Sequence, residues 1–464
     1  MYLVLNFIVL LLSLSMFVLK REQKIMIMWF TLMCMTTLPQ LKTIGVVLNL
    51  PTCFFLSEIS HIWKSWNYEK KRWLSFVVIT VIIATILLYF TSHNYYEKGI
   101  VGGIAIVEEE LIKKYFFLIY GLVCVVGKVS IKTLLKVTYI GILLLTFFGI
   151  LDLVLGHPVF LQMIYQGREL TNSQENILGS MRAFEERYRV HSMFTYPFDY
   201  GFICVISSIL ALFGKDNHLI SKGRFWIIMI CALLGVVMCA CRTVFVCAFL
   251  ALFIYIIQGY SAKKRRIVIF SLSAVLIVAF FLIPQFQEMV YLTLSAFQTD
   301  SDVSGSNVEM RQEQYLVALL YAKSNLFLGN GKGFFDYDLG HLEGGSAFIG
   351  SDLNGLEGVL MNIILERGIL GVLVYLSFYF TLLICIYKLR KVDRSASACC
   401  ISILLAYLIY ANMTGELGSV PPTLFIVGAL LSVIIKQESH FISRNQYGKS
   451  KQIIDNSCNP CLQG

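Results

Sequence analysis

Apolar runs of about 17 to 25 residues recur along almost the whole chain, each long enough to cross a hydrocarbon layer of about 30 Å as a helix. The runs are continuously apolar rather than alternating, which favours helices over a barrel. Composition agrees: of 464 residues, 57% are hydrophobic and 14% charged, with a mean hydropathy of +0.72. A soluble domain of that content would need a largely apolar surface. The expected fold class is all-α, a polytopic transmembrane helix bundle.

Charge placement predicts the topology. Basic clusters stand at Lys20-Arg21-Lys24, Lys64 to Arg72, Lys128 to Lys132, Lys215 to Arg224, Lys263-Lys264-Arg265-Arg266, Lys388 to Arg394 and from Lys436 onward, and all fit in the cytoplasm at once. The first run, Tyr2 to Leu19, has no basic residue before it and Lys20-Arg21 after it, the order of a retained span rather than a cleaved leader. The spans expected are about 2–19, 25–38, 43–63, 73–91, 113–127, 133–155, 198–213, 225–239, 244–258, 267–284, 368–388, 396–413 and 421–435. Pro39 and Pro51 blur the second and third, so twelve or thirteen spans are expected.

The organisation that follows is a bundle over 1–284 with outer loops at about 92–112 and 156–197. A large periplasmic loop over 285–367, C-terminal transmembrane helices over 368–436 and a cytoplasmic tail over 437–464 complete it. The net charge of +9 is thus a matter of topology, and no nucleic-acid partner is expected. Cys34, Cys53, Cys124, Cys204, Cys231, Cys239, Cys247, Cys385, Cys399 and Cys400 fall within apolar runs and read as small apolar side chains. Cys458 and Cys461 form a CxxC with no second pair or His cluster, so no metal site is expected.

Four groups of residues on the expected outer side invite a chemical reading. Arg242, in Cys241-Arg242-Thr243, is a cation where the charge rule does not place one, which makes it either functional or an interfacial anchor. Arg311 opens an amphipathic helical pattern (Val308, Tyr315, Leu316, Leu319, Leu320), with Glu309 and Glu313 as ordinary surface partners. The Gly329-Asn-Gly331-Lys-Gly333 run after it is no nucleotide loop, because no strand precedes it.

Arg182, Arg187, Arg189 and His191 precede Met193 to Gly201. Such a group of arginines can hold an anionic headgroup by bidentate bonds or pair with Glu185 and Glu186. Glu108-Glu109-Glu110 can supply further partners to these arginines but reads best as a solvated, metal-free face, and Glu366-Arg367 as an interfacial pair anchoring a helix that runs into a span.

Taken in order, these pieces resemble the O-antigen polymerase and O-antigen ligase family of bacterial inner-membrane proteins, over roughly residues 185 to 390. Arg189 to Gly201 is similar to that family's Arg-x-x-Gly-Thr-Phe-x-x-Pro entry to a span, with Ser192 in place of the usual glycine. Cys241-Arg242-Thr243 is similar to its Ser-Arg-x turn. Arg311 with Gly329-Asn-Gly331 resembles its periplasmic Arg helix and Gly-x-Gly, and Glu366-Arg-Gly-Ile-Leu-Gly371 its Glu-x-Gly-x-x-Gly.

The resemblance implies a glycosyltransferase acting on glycans carried by undecaprenyl diphosphate, a multi-pass protein of the bacterial inner membrane that needs neither cofactor nor metal. Arg187, Arg189, Arg242 and Arg311 would bind the diphosphate, Arg242 and Arg311 being catalytic together with Glu357, while His341 and His191 are alternative bases. Its implied partners are the lipid-linked oligosaccharide, the bilayer, and a chain-length regulator and flippase of the same pathway. Ligases of the family carry His-Asn nine residues before the Glu-x-Gly motif, where this chain has Glu357-Gly358. Polymerisation of repeat units is therefore preferred to ligation of finished glycan, and either to a flippase or transporter, which would show short outer loops and broken helices lining a midplane site, whereas here the ionisable residues concentrate at the outer face.

Overall fold

The computed structural model describes residues 2–34, 50–64, 79, 83, 107–124, 127–165, 189–282, 287, 290–291, 308–331, 334, 358–415 and 418–437. Among these there is no strand. The helices are α1 (Tyr2–Ser15), α2 (Arg21–Cys34), α3 (Leu50–Lys64), α4 (Phe116–Cys124), α5 (Gly127–Leu155), α6 (Val159–Tyr165), α7 (Pro197–Asp216) and α8 (Lys222–Met238). They continue with α9 (Arg242–Gly259), α10 (Ala262–Leu282), α11 (Val308–Ala322), α12 (Val359–Leu389), α13 (Arg394–Thr414) and α14 (Val420–Gln437). A π-helical segment, Val107–Tyr115, leads into α4.

Among the described residues, α5, α7, α9, α12, α13 and α14 are long and apolar enough to cross a membrane. The expected span at 43–63 is described from Leu50 on, as α3, while that at 73–91 and much of the expected outer loops and tail lie largely outside the described residues.

The bundle has a centre and a lipid-facing shell. Helices α7, α13 and α14 are buried on nearly all sides, as helices apolar all round must be. Tyr410 of α13 stacks on Phe202 of α7 with centroids 4.5 Å apart. Helices α5, α9 and α12 bury one side and expose the other, with Phe147, Ile150, Phe249, Leu373, Phe380 and Ile384 turned outward. Ten of the described cysteines, Cys124 not among them, are free thiols.

Three of the basic clusters meet at one end of the bundle. Lys264 Nζ lies 3.0 Å from Asp216 Oδ1, and Tyr255 donates its hydroxyl to Asp216 Oδ2 at 2.9 Å. Arg394 donates from Nε to the Gln258 carbonyl and from Nη2 to that of Tyr260, both at 2.6 Å. Arginines thus satisfy carbonyls that the end of α9 leaves without intrahelical partners. Nearer the N-terminus, Glu58 of α3 receives Lys24 at 2.8 Å and Arg21 at 3.1 Å from α2.

Helices α4 and α14 cross with their backbones in contact. A β-carbon on Gly121 would overlap the Phe425 carbonyl oxygen, and one on Gly428 would overlap the Leu118 carbonyl oxygen. Small residues at a crossing let two membrane helices approach closely enough for main-chain packing to hold them. Gly121→Val or Gly428→Val is therefore expected to destabilise the protein by about 1–3 kcal/mol through overpacking. Gly223→Val, at a position with nothing within 4 Å, serves as the neutral comparison. Thermal unfolding of the detergent-purified protein reads the difference.

Candidate functional site

At the end of the bundle opposite the basic clusters, residues 189–196 form a strap running into α7. Its fold is dictated by one buried acid, Asp152 of α5, which is 0% exposed. Asp152 Oδ2 accepts the Ser192 N–H at 2.7 Å, and Oδ1 accepts the Val159 N–H at 2.9 Å. A carboxylate so placed must be met by donors, because burying it alone is costly.

Ser192 takes φ +55°, the left-handed region that favours glycine. Its hydroxyl donates to the Leu145 carbonyl at 2.7 Å. The serine thus takes a backbone turn that favours glycine and secures it with its own side chain.

His191 is buried, and its Nδ1 lies 2.9 Å from the Thr195 carbonyl oxygen. A carbonyl only accepts, so Nδ1 carries the proton and the neutral ring has its basic nitrogen at Nε2. Burial holds His191 below the ordinary imidazole value of 6.5; hydrogen bonds to the Thr195 and Phe194 backbone oppose this, and the Arg189 charge adds to it. Arg189 is half-buried, with its guanidinium 5.9 Å from the centroid of the Phe198 ring.

The strap is joined to the turn that bears Arg242. The Val190 N–H donates to the Met238 carbonyl at 3.2 Å. A β-carbon on Gly201 would press on Cys239 Sγ and the Val244 side chain at 2.6 and 2.7 Å, so α7 and the turn are in close contact. Arg242 is the first residue of α9, half-buried, in a first turn with no acidic residue. A cation at a helix N-terminus stands against the helix dipole, at a cost of about 0.3–1 kcal/mol. Guanidinium and helix end together make a place that attracts anions.

Asp199, in the first turn of α7, ties this end to the C-terminal helices. It accepts the Tyr410 hydroxyl at 2.9 Å and the Gly418 N–H at 3.1 and 3.2 Å. A β-carbon on Gly358, just before α12, would come within 3.1 Å of the Asn412 carbonyl oxygen of α13.

Helix α12 is broken at Gly368, whose φ is +61°. The break strands main-chain groups on both sides, and the chain just after α11 supplies their partners. The Asn330 and Gly331 N–H groups donate to the Leu365 and Glu366 carbonyls at 2.8 and 3.0 Å. The Ile369 and Leu370 N–H groups donate to the Leu326 and Phe327 carbonyls at 2.9 and 3.3 Å. A β-carbon on Gly329, at φ +79°, would overlap Glu366 and Arg367, and one on Gly368 would overlap Phe327. The Gly-x-Gly run and the Glu-x-Gly motif are therefore two halves of one joint.

Next to the joint, Arg367 Nη2 lies 3.1 Å from Glu110 Oε2, while Lys114 Nζ is 3.0 Å from Glu110 Oε1. Glu110 is 2% exposed and Arg367 8%. The expectation of a solvated Glu108-Glu109-Glu110 face is thus corrected at Glu110. It is a buried ion-pair member, and it stands as a partner of Arg367 from 257 residues away in sequence. Breaking such a pair from one side costs about 3–5 kcal/mol.

Of the expected site residues, Arg189 and His191 lie on the strap, which Val190 bonds to Met238 just before the turn that bears Arg242, and Arg311 lies in the first turn of α11. Arg187, Glu357 and His341 lie outside the described residues, as do Arg182, Glu185 and Glu186. Asp199 was not expected from sequence and carries no local signal beyond its place in a helix first turn.

Apolar helices of this length packed around polar ties define a polytopic integral membrane protein. Residues 227–376 match the family model described as O-antigen ligase. The matched stretch runs from α8 through Arg242, α9, α10 and α11 to the part of α12 beyond its break, and it supports a role in polysaccharide assembly. None of the curated proteins matches the chain.

Two outcomes follow from the strap. Ser192→Gly is expected to cost under about 1 kcal/mol, since it keeps the backbone and loses one hydrogen bond. Ser192→Val puts a β-branched residue in the left-handed region and is expected to cost about 1–3 kcal/mol, both read as shifts in thermal midpoint.

His191 binds its proton less readily in the folded than in the unfolded chain, so stability is full above pH 6.5 and falls as pH drops below that value. Thermal midpoints at about pH 8 and about pH 5.5 should differ less in His191→Gln than in the natural protein.

Proposed function

We propose that the protein is a glycosyltransferase that polymerises undecaprenyl-diphosphate-linked oligosaccharide repeat units into a surface polysaccharide, on the periplasmic face of a bacterial inner membrane. One observation carries this reading. The stretch matching the O-antigen ligase model holds both Arg242 and the Arg311 helix, and the strap bearing Arg189 is hydrogen-bonded to the Arg242 turn.

In the reaction, a hydroxyl of one lipid-linked glycan attacks the anomeric carbon joined to the diphosphate of another. The new glycosidic C–O bond forms as the bond from that carbon to the diphosphate oxygen breaks, and the electron pair leaves with undecaprenyl diphosphate. The hydroxyl proton passes to a base.

Guanidinium forks match phosphate oxygens. Arg187, Arg189, Arg242 and Arg311 accordingly bind the diphosphate, and Arg242 and Arg311 stabilise the charge that grows on it as it leaves. The neutral ring of His191 suits a proton acceptor, beside Glu357 and His341. The outward apolar faces of α5, α9 and α12 offer a surface for the polyprenyl chain. The donor is activated by its own leaving group, so no nucleotide, cofactor or metal enters the scheme.

Ligation of finished glycan is the second reading, favoured by the description of the matching family. Polymerisation is preferred because Glu357-Gly358 stands where ligases have His-Asn.

Arg242→Ala or Arg311→Ala is expected to lower polymer formation by about 10²–10³-fold, the loss typical of removing one preorganised charge-stabilising group. The glycan ladder of cells carrying each variant checks this. Single repeat units on the acceptor support the polymerase, unattached polymer supports the ligase, and a normal ladder from both variants overturns the proposed site.

A further inference from the structure

The helix that carries Arg311 rests on α12 through its second half. Among the described side chains of α11, Gln314, Ala318 and Ala322 are buried, and the core they join on the first half of α12 consists of Ala318, Ala322, Met361 and Leu365, with Tyr321 partly buried against it. Leu316, Leu319 and Leu320 point outward. The two alanines contribute little apolar area, and Tyr321 adds to the seat at the C-terminal end of the helix.

Its C-terminal end is held far more firmly. After the 3₁₀ turn Lys323–Asn325, four main-chain hydrogen bonds fasten residues 326–331 to the break in α12. Asn330 closes the arrangement from within. Its Nδ2 donates to the Tyr321 carbonyl, in the last turn of α11, at 3.2 Å, while its Oδ1 accepts from Asn325 Nδ2 at 3.2 Å and from Ser324 Oγ at 3.4 Å.

Arg311 sits at the opposite end of α11, eleven residues before Ala322, or about 16 Å along the axis at about 1.5 Å per residue. A tilt of about 10° at the joint would carry Arg311 about 3 Å sideways. Displacements of about 1 Å can cost about 100-fold in rate.

We infer that Gly329, Asn330 and Gly368 are positioning residues: the joint they build sets where Arg311 stands relative to the lipid diphosphate. The inference rests on the reading of Arg311 as a substrate cation given above. It gives the Gly-x-Gly run a mechanical task that involves no ligand of its own, and it places the control of a periplasmic cation in the first turn of a transmembrane half-helix.

The test uses the full-length protein in lipid nanodiscs with lipid-linked repeat units as substrate. Gly329→Ala, Gly368→Ala and Asn330→Ala are each made alone and together with Arg311→Ala. Asn330→Ala removes hydrogen bonds without adding bulk, so it guards against a variant that fails to fold, and its thermal midpoint is measured alongside. Each joint variant is expected to lower kcat about 10- to 100-fold with KM little changed. In the Arg311→Ala background it should add less than about twofold, because the residues act through one another.

Joint variants that turn over at the natural rate while Arg311→Ala is inactive overturn the inference and leave the functional reading intact. So do losses that multiply with that of Arg311→Ala. Natural turnover by Arg311→Ala overturns the reading of Arg311 itself, and the inference with it.

Discussion

A main-chain N–H or C=O left bare at the edge of a hydrocarbon layer costs several kcal/mol, and α12 breaks its helix at Gly368. Every described feature around the break answers that cost. The Leu365 and Glu366 carbonyls and the Ile369 and Leu370 N–H groups are each given a partner by residues 326–331. The repair succeeds only because the two strands of chain approach so closely that neither Gly329 nor Gly368 can carry a β-carbon. From that contact follow the seat of α11, the placing of Arg311 and the burial of Arg367 against Glu110.

The same economy governs the buried acids, each of which joins more than one element. Asp152 of α5 holds the start of α6 and the strap. Asp199 of α7 holds α13 and the chain entering α14. Glu110 holds Arg367 beside the break, and Glu58 holds two cations of α2. A carboxylate removed from water demands donors, and donors drawn from several elements fix those elements relative to one another. Arg189, His191 and Arg242 inherit their common location from such ties, since the strap is set by Asp152 and bonded in turn to Met238.

How much of this was legible beforehand divides along the range of the interactions. Apolar runs and basic clusters are local signals, and they announced a helical membrane protein; the clusters at 215–224, 263–266 and 388–394 do meet at one end of the bundle. Arg242 was legible as a cation in an unexpected turn, and Gly329 with Gly331 as a motif of unknown purpose. The mating of that motif with Glu366 to Gly368 was not legible, because it is made of main-chain groups whose identity no residue letter records. Glu110 was misread for a related reason: three glutamates in a row look solvated, and the partner that buries the third lies in α12. Ser192 stands where the resemblance led one to expect glycine, and its φ of +55° is held by its own bond to the Leu145 carbonyl, which no local pattern announces.

A joint of this kind also bears on how such proteins vary. Its hydrogen bonds run between peptide groups, so Leu326, Phe327 and Leu365 enter it through atoms that every amino acid possesses except, on the donor side, proline. What it prescribes is the absence of a β-carbon at two positions and little else about their neighbours. Chains can therefore keep the same mechanical linkage while exchanging nearly every side chain around it. Such a linkage is written in a sequence mainly as two small gaps at a fixed separation in space, which explains how a part so consequential for the fold can leave so faint a trace in the letters.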